Sequence, residues 1–164
     1  MKTLNRLFTL PIIILLFLIS FSSFAQETHY VTLHVNTDVI TSQNELEVCS
    51  FTSESAEGEI TEGDIENFTI SVSAGDYIVW NGVSSSNPDD SIVNITSINY
   101  HGGDNVFDKN VLTGNGETPE EVVGMVLEGT NGKTEKYAVK FTVINNGQRR
   151  GGTFSIDPKI RVKP

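Results

Sequence analysis

A chain of 164 residues with 11 basic and 21 acidic side chains carries a formal net charge of −10, which excludes nucleic-acid binding through a phosphate-neutralising basic surface. Its one cysteine, Cys49, excludes an intrachain disulfide, so the fold must rest on its core, and the neighbouring Val48 and Phe51 predict a buried thiol. Acidity at this level favours solubility and leaves room for divalent cations.

Residues 1–25 have the three-part form of a secretion signal: basic Lys2 and Arg6, an apolar run from Leu7 to Ile19 broken only by Thr9 and Pro11, and a small-residue exit at Ser22, Ser23 and Ala25. Cleavage is expected near Ala25 and Gln26, because the run is shorter than the roughly 20 residues of a spanning helix. No cysteine follows it to take a lipid anchor, and no second long apolar segment occurs, so no membrane span is expected after cleavage. The predicted location is secreted or periplasmic. Residues 26–164 then form a single domain of 139 residues with a net charge of about −12, large enough to bury roughly two-thirds of its unfolded surface.

From His29 to Val35 apolar and polar residues alternate, with Val31, Leu33 and Val35 on one face, which predicts a half-buried first strand. Asn36 to Glu45 is polar and turn-like. Leu46 to Thr52 is a second strand candidate with apolar residues on both faces. Ser53 to Asn67 has six acids and only Ile60 and Ile65 to bury, so it reads as a solvated loop with a short strand near Ile60. Phe68, Ile70 and Val72 mark a third strand that ends at Ala74-Gly75-Asp76, and Tyr77 to Asn81 resumes as a short aromatic strand.

Ile92 to Tyr100 is rich in β-branched residues and apolar on both faces, as suits a central strand. His101 to Asn105 and Thr113 to Glu121 read as loops. Val122 to Glu128 predicts a strand in which Gly124 is a weak point, or a place where another group comes close. Asn131-Gly132 predicts a type I′ hairpin joining that strand to Lys136 to Ile144, where Tyr137, Val139, Phe141 and Val143 share a face. A second hairpin through Asn145 to Gly152 leads to Thr153 to Ile156, and after Pro158 the strand signal continues at Ile160 and Val162. No segment holds a helical apolar period for three turns, and no internal repeat is present. About nine short strands with regular turn signals predict an all-β, two-sheet β-sandwich, Ig-like or jelly-roll.

Little in the chain points to catalysis. No G-x-S-x-G, H-E-x-x-H or papain-like cysteine context occurs, and a glycosidase pair cannot be selected among so many acids. The protein is therefore read as no enzyme, with a small hydrolase as the weakest alternative. Gly75 to Trp80 resembles the G-D-x-V-x-W strand of cupredoxins, but Cys49 precedes that strand and no histidine follows His101, so a blue copper site is rejected while a cupredoxin-like sandwich without metal stays open.

Two candidate sites remain. Asp89, Asp90, Asp104 and Asp108, with Asn105 beside them, supply oxygens of the kind calcium takes, although their spacing is not that of a D-x-D-x-D-G loop and the same residues suit turns. Trp80, Tyr100 and His101, with Tyr77 nearby, offer a stacking platform for a sugar ring, with Asn81, Asp104 and Asn105 as hydrogen-bonding partners. A core role for Trp80, the only tryptophan, competes with that reading.

The stretch from Gly75 to Leu112 resembles the bacterial inclusion-body protein family (AidA/PixA-like) in Gly75-Asp76, Trp80-Asn81-Gly82-Val83-Ser84, Asp89 to Val93, Ile98-Asn99-Tyr100 and Gly103 to Phe107. Asn36-Thr37-Asp38-Val39-Ile40 is similar to that family's first turn, and Phe154 to Val162 to its closing D-P-x-I-x-V strand. The resemblance implies a β-sandwich associated with self-associating protein and offers no catalytic residue. The signal segment and the acidic loop from Glu54 to Glu66 depart from the family, whose members are cytoplasmic. The expectation is thus a secreted, non-enzymatic sandwich that binds a ligand or self-associates outside the cell. A carbohydrate-binding module with a glycan ligand is the alternative.

Overall fold

The computed structural model describes residues 26–54, 60–63, 65, 67–114, 118 and 120–164; the expected signal segment and parts of the expected loops Ser53 to Asn67 and Thr113 to Glu121 lie outside them. Among the described residues the chain forms β1 (Thr28–Val35), α1 (Glu45–Val48), β2 (Cys49–Glu54), β3 (Ile60–Gly63), β4 (Thr69–Val72), β5 (Tyr77–Ser84), β6 (Ser91–Gly103), β7 (Val111–Leu112), β8 (Glu121–Met125), β9 (Thr134–Asn145), β10 (Gln148–Ile156) and β11 (Lys159–Val162). One sheet has the order β3-β2-β1-β5-β8; the other runs β4-β11-β9-β6-β7, with β10 also on β9. The fold is the expected two-sheet β-sandwich, with both sheets mixed: β1 lies parallel to β5, and β4 parallel to β11.

One apolar core fills the space between the sheets. The period-two alternation read in β1 holds, since Val31, Leu33 and Val35 are buried while Tyr30 on the other face is exposed. Gly124 is where other groups come close: a Cβ there would stand 2.7 Å from Leu112 Cδ1 and 3.1 Å from both Phe107 Cε1 and Trp80 Cζ3. A side chain in β8 at that point would displace the aromatic centre of the core.

Four expectations are corrected. Leu46 to Val48 is one helical turn, and the second strand starts only at Cys49. The Asn44 side chain accepts from the Thr41 N–H at 2.7 Å, and its carbonyl accepts from Glu47 and Val48 N–H, so local bonds close a turn there before the strand begins. In β6 the apolar residues do not serve two buried faces: Ile92 is exposed, and the register against β9 shifts between Ile95 and Ser97 and between Tyr100 and Gly102. The extra residue at the first bulge switches the inward set from Val93 and Ile95 to Ile98.

Asn131-Gly132 makes no hairpin. β8 pairs with β5 in one sheet and β9 with β6 in the other, so this turn carries the chain between sheets. Gly132 has φ +76° while Asn131 is not in the positive-φ region, the pattern of a type II turn, which splays the chains it joins. Asn146 and Gly147 instead both take positive φ, 49° and 73°, and close a two-residue type I′ hairpin with Asn145 opposite Gln148. Strand β10 therefore begins at Gln148 rather than Thr153, and Gly151 lies where its register shifts.

Candidate functional site

Trp80 points into the sandwich and is 1 % exposed. Its indole makes edge contacts with Phe107 and Tyr137 at centroid distances of 5.7 and 5.6 Å, and its Nε1–H donates to the Tyr137 hydroxyl at 3.2 Å. Burial pushes the Tyr137 phenol far above its ordinary range, with the Trp80 hydrogen bond acting against that and nearby Glu135 adding to it. The sugar platform is thereby dismantled. Trp80 is core, Tyr77 lies on one sheet and Tyr100 on the other, and the Tyr100 hydroxyl donates to the carbonyl of Gly103 within β6, which runs on through the expected loop residues His101 to Gly103.

His101, Asp104 and Asn105 are each bonded to residues outside the predicted sites. His101 Nδ1 stands 3.2 Å from Asp157 Oδ2 at the surface. Asp104 Oδ2 accepts from the Thr134 N–H at 3.2 Å, and Asn105 Oδ1 accepts from the Lys109 N–H at 3.2 Å. Asp89 and Asp90 precede β6 and Asp104 and Asp108 follow it, so the 13 residues of that strand separate the pairs. At about 3.3 Å per residue that is roughly 40 Å, and one calcium ion cannot be shared between them.

Buried polar chemistry lies elsewhere, in residues not among the predicted calcium or sugar sites. At one end of the sandwich Thr37 and Ser84 hydroxyls are 2.7 Å apart, and the Asn145 amide donates to the Thr37 carbonyl at 3.0 Å and to Asp38 Oδ1 at 2.9 Å. This network ties the loop after β1 to the ends of β5 and β9, one strand from each sheet. At the other end Glu135 is 1 % exposed, and its Oε2 accepts from the Val106 N–H at 2.6 Å, pinning the loop after β6. Burial pushes this carboxyl up from 4.5 to about 7, against the Val106 hydrogen bond, which lowers it. The thiol of Cys49, buried as expected, is raised to about 12 by burial and then by the charge of Glu45, which makes it inert toward exchange.

Asp76 closes the turn before β5. Its Oδ2 accepts from the Ser73 N–H at 2.7 Å and its Oδ1 from the Glu27 N–H at 3.1 Å, while His29 Nε2 stands 3.0 Å from Oδ2. Glu27, His29 and Asp76 are the His, Cys or carboxylate group of three that comes together among the described residues. Gly75-Asp76 was legible as a turn, but His29 was not legible as its partner because 47 residues separate them.

Part of the outer face of β1, β5 and β8 is apolar, next to the polar row of Thr32, Asn81 and Glu121. In register across the three strands stand Tyr30, Val79 and Val123, and one step along, Tyr77 and Met125. Val123 is 51 % exposed, Tyr30 46 %, Met125 43 % and Tyr77 37 %.

Two mixed sheets closed over one apolar core place the protein among the two-sheet β-sandwiches. Among solved structures it is similar to the crystal structure of the inclusion body protein PixA from Burkholderia cenocepacia, with a TM-score of 0.65 and 14 % identity over 86 % of this chain and 98 % of that one. The expected resemblance to the inclusion-body family therefore holds at the level of the fold. No family model matches the chain, and no curated protein matches it.

Proposed function

We propose that the protein is an exported, non-enzymatic β-sandwich that associates with further copies of itself through the outer face of β1, β5 and β8. The observation that carries this reading is the register-aligned band of Tyr30, Val79, Val123, Tyr77 and Met125 on one sheet face. A solvated sheet face ordinarily alternates to polar residues, and contiguous exposed apolar surface marks an association site. The similar fold of a protein described as an inclusion body protein supports self-association over a small-molecule ligand. Export is supported by the three-part form of residues 1–25, and no helix among the described residues is long and apolar enough to cross a membrane.

Light scattering over a concentration series tests the reading. The parent is expected to move from monomer to larger species as concentration rises. The double variant Val123→Glu, Met125→Glu, which changes only exposed positions, is expected to stay monomeric with an unchanged Tm. A parent that remains a strict monomer at its solubility limit ends the proposal.

A further inference from the structure

Glu27 and His29 are two residues apart at the start of β1, so both point to the same side of the strand. Because β1 and β5 run parallel with Thr28 beside Tyr77, the turn residue Asp76 arrives next to Glu27. The Tyr77 N–H donates to the Glu27 carbonyl at 2.8 Å, which locks that alignment. The three side chains converge: His29 Nε2 is 3.0 Å from Asp76 Oδ2 and 3.8 Å from Glu27 Oε2, and all three donor atoms lie within 4.8 Å of one another.

We propose that Glu27, His29 and Asp76 form a binding site for one divalent transition-metal ion, with zinc as the best fit. Tetrahedral zinc with bonds of about 2.0–2.1 Å sets its ligand atoms about 3.3 Å apart; the 3.0 Å His29–Asp76 side is near that spacing, and the partly exposed end of Glu27, 3.8 Å from His29 and within 4.8 Å of Asp76, must swing inward to complete the triangle. One imidazole nitrogen with two carboxylate oxygens is a zinc donor set, and the two carboxylates match the charge of a divalent ion beside a neutral imidazole. The site is built beforehand. His29 and Asp76 are buried, and the Asp76 carboxylate is already oriented by N–H groups of Ser73 and Glu27, the arrangement that holds a ligand in place for a metal.

Asp76 also lines a surface hollow of about 280 Å³ with Gln26, Ser73 and Glu128, so the Asp76 side of the group borders the surface. The plain alternative is a buried His29–Asp76 hydrogen bond that caps the turn. It accounts for the 3.0 Å contact, and the metal reading adds to it that Glu27 Oε2, 3.8 Å from the same nitrogen, supplies a third donor atom of the group.

The test is titration of the chelator-treated protein with zinc alone by calorimetry, and with cobalt alone by visible absorption. One ion per chain is expected, with a d–d spectrum of the intensity that low-symmetry four-coordinate cobalt gives. His29→Gln and Glu27→Gln are expected to weaken binding by more than about tenfold, the scale on which even a supporting residue acts, and His101→Gln to leave it unchanged. Since His29→Gln also removes a buried hydrogen bond, Glu27→Gln at the rim decides the matter, with circular dichroism confirming its fold. Absence of stoichiometric zinc binding, or equal affinity in the parent and Glu27→Gln, overturns the proposal.

Discussion

Glu135 shows how one buried carboxyl couples stability to pH. Its folded-state value of about 7 lies above its ordinary 4.5, so between those values the folded protein binds more protons than the unfolded chain. Stability from this group therefore falls as pH rises through the window and reaches its full penalty above about pH 7, at most about 3 kcal/mol. Glu135→Gln keeps an oxygen to accept the Val106 N–H and carries no charge. The variant is expected to match the parent near pH 4 and to exceed its stability at pH 8, as read from urea denaturation at both values; a variant less stable than the parent at pH 8 contradicts this. Nothing in the sequence marks Glu135, because an acid beside a Lys136 on an alternating strand reads as an exposed charge pair. What buries it is the loop after β6, which comes from another part of the chain.

At the scale of elements, the two Asn-Gly dipeptides carry the lesson. Both were legible as turns, because Asn and Gly tolerate positive φ wherever they occur. Only Asn146-Gly147 uses that freedom at both residues, and its hairpin geometry depends on it. Gly147 has open space around it, so Gly147→Ala introduces backbone strain without a clash. A loss of about 1 kcal/mol is expected in chemical denaturation, and an unchanged midpoint would show that the hairpin does not need the type I′ conformation. Strand existence was similarly legible in β1, β4, β5 and β9 from alternation, whereas the bulge in β6 was not. A bulge adds one residue against a partner strand, and the apolar run by itself reads as a strand buried on both faces.

For the whole molecule, charge and apolar surface oppose one another. A net charge of −10, or about −12 without residues 1–25, repels like copies, while the band on β1, β5 and β8 draws them together. Screening shortens from about 30 Å at 0.01 M salt to about 8 Å at 0.15 M. Self-association measured by sedimentation is therefore expected to strengthen between those salt concentrations; weakening would mean that ion pairs rather than the apolar face hold the copies together. The sequence by itself determined the class of fold, the buried cysteine and the two Asn-Gly turns, because these follow from period-two burial and from backbone preferences that act within a few residues. Only the tertiary structure decided which strands pair, that Trp80 is core, that the aspartates flanking β6 cannot share an ion, and that Glu27, His29 and Asp76 meet. Those outcomes depend on which faces bury one another across tens of residues, and a local pattern is the same whichever partner it finds.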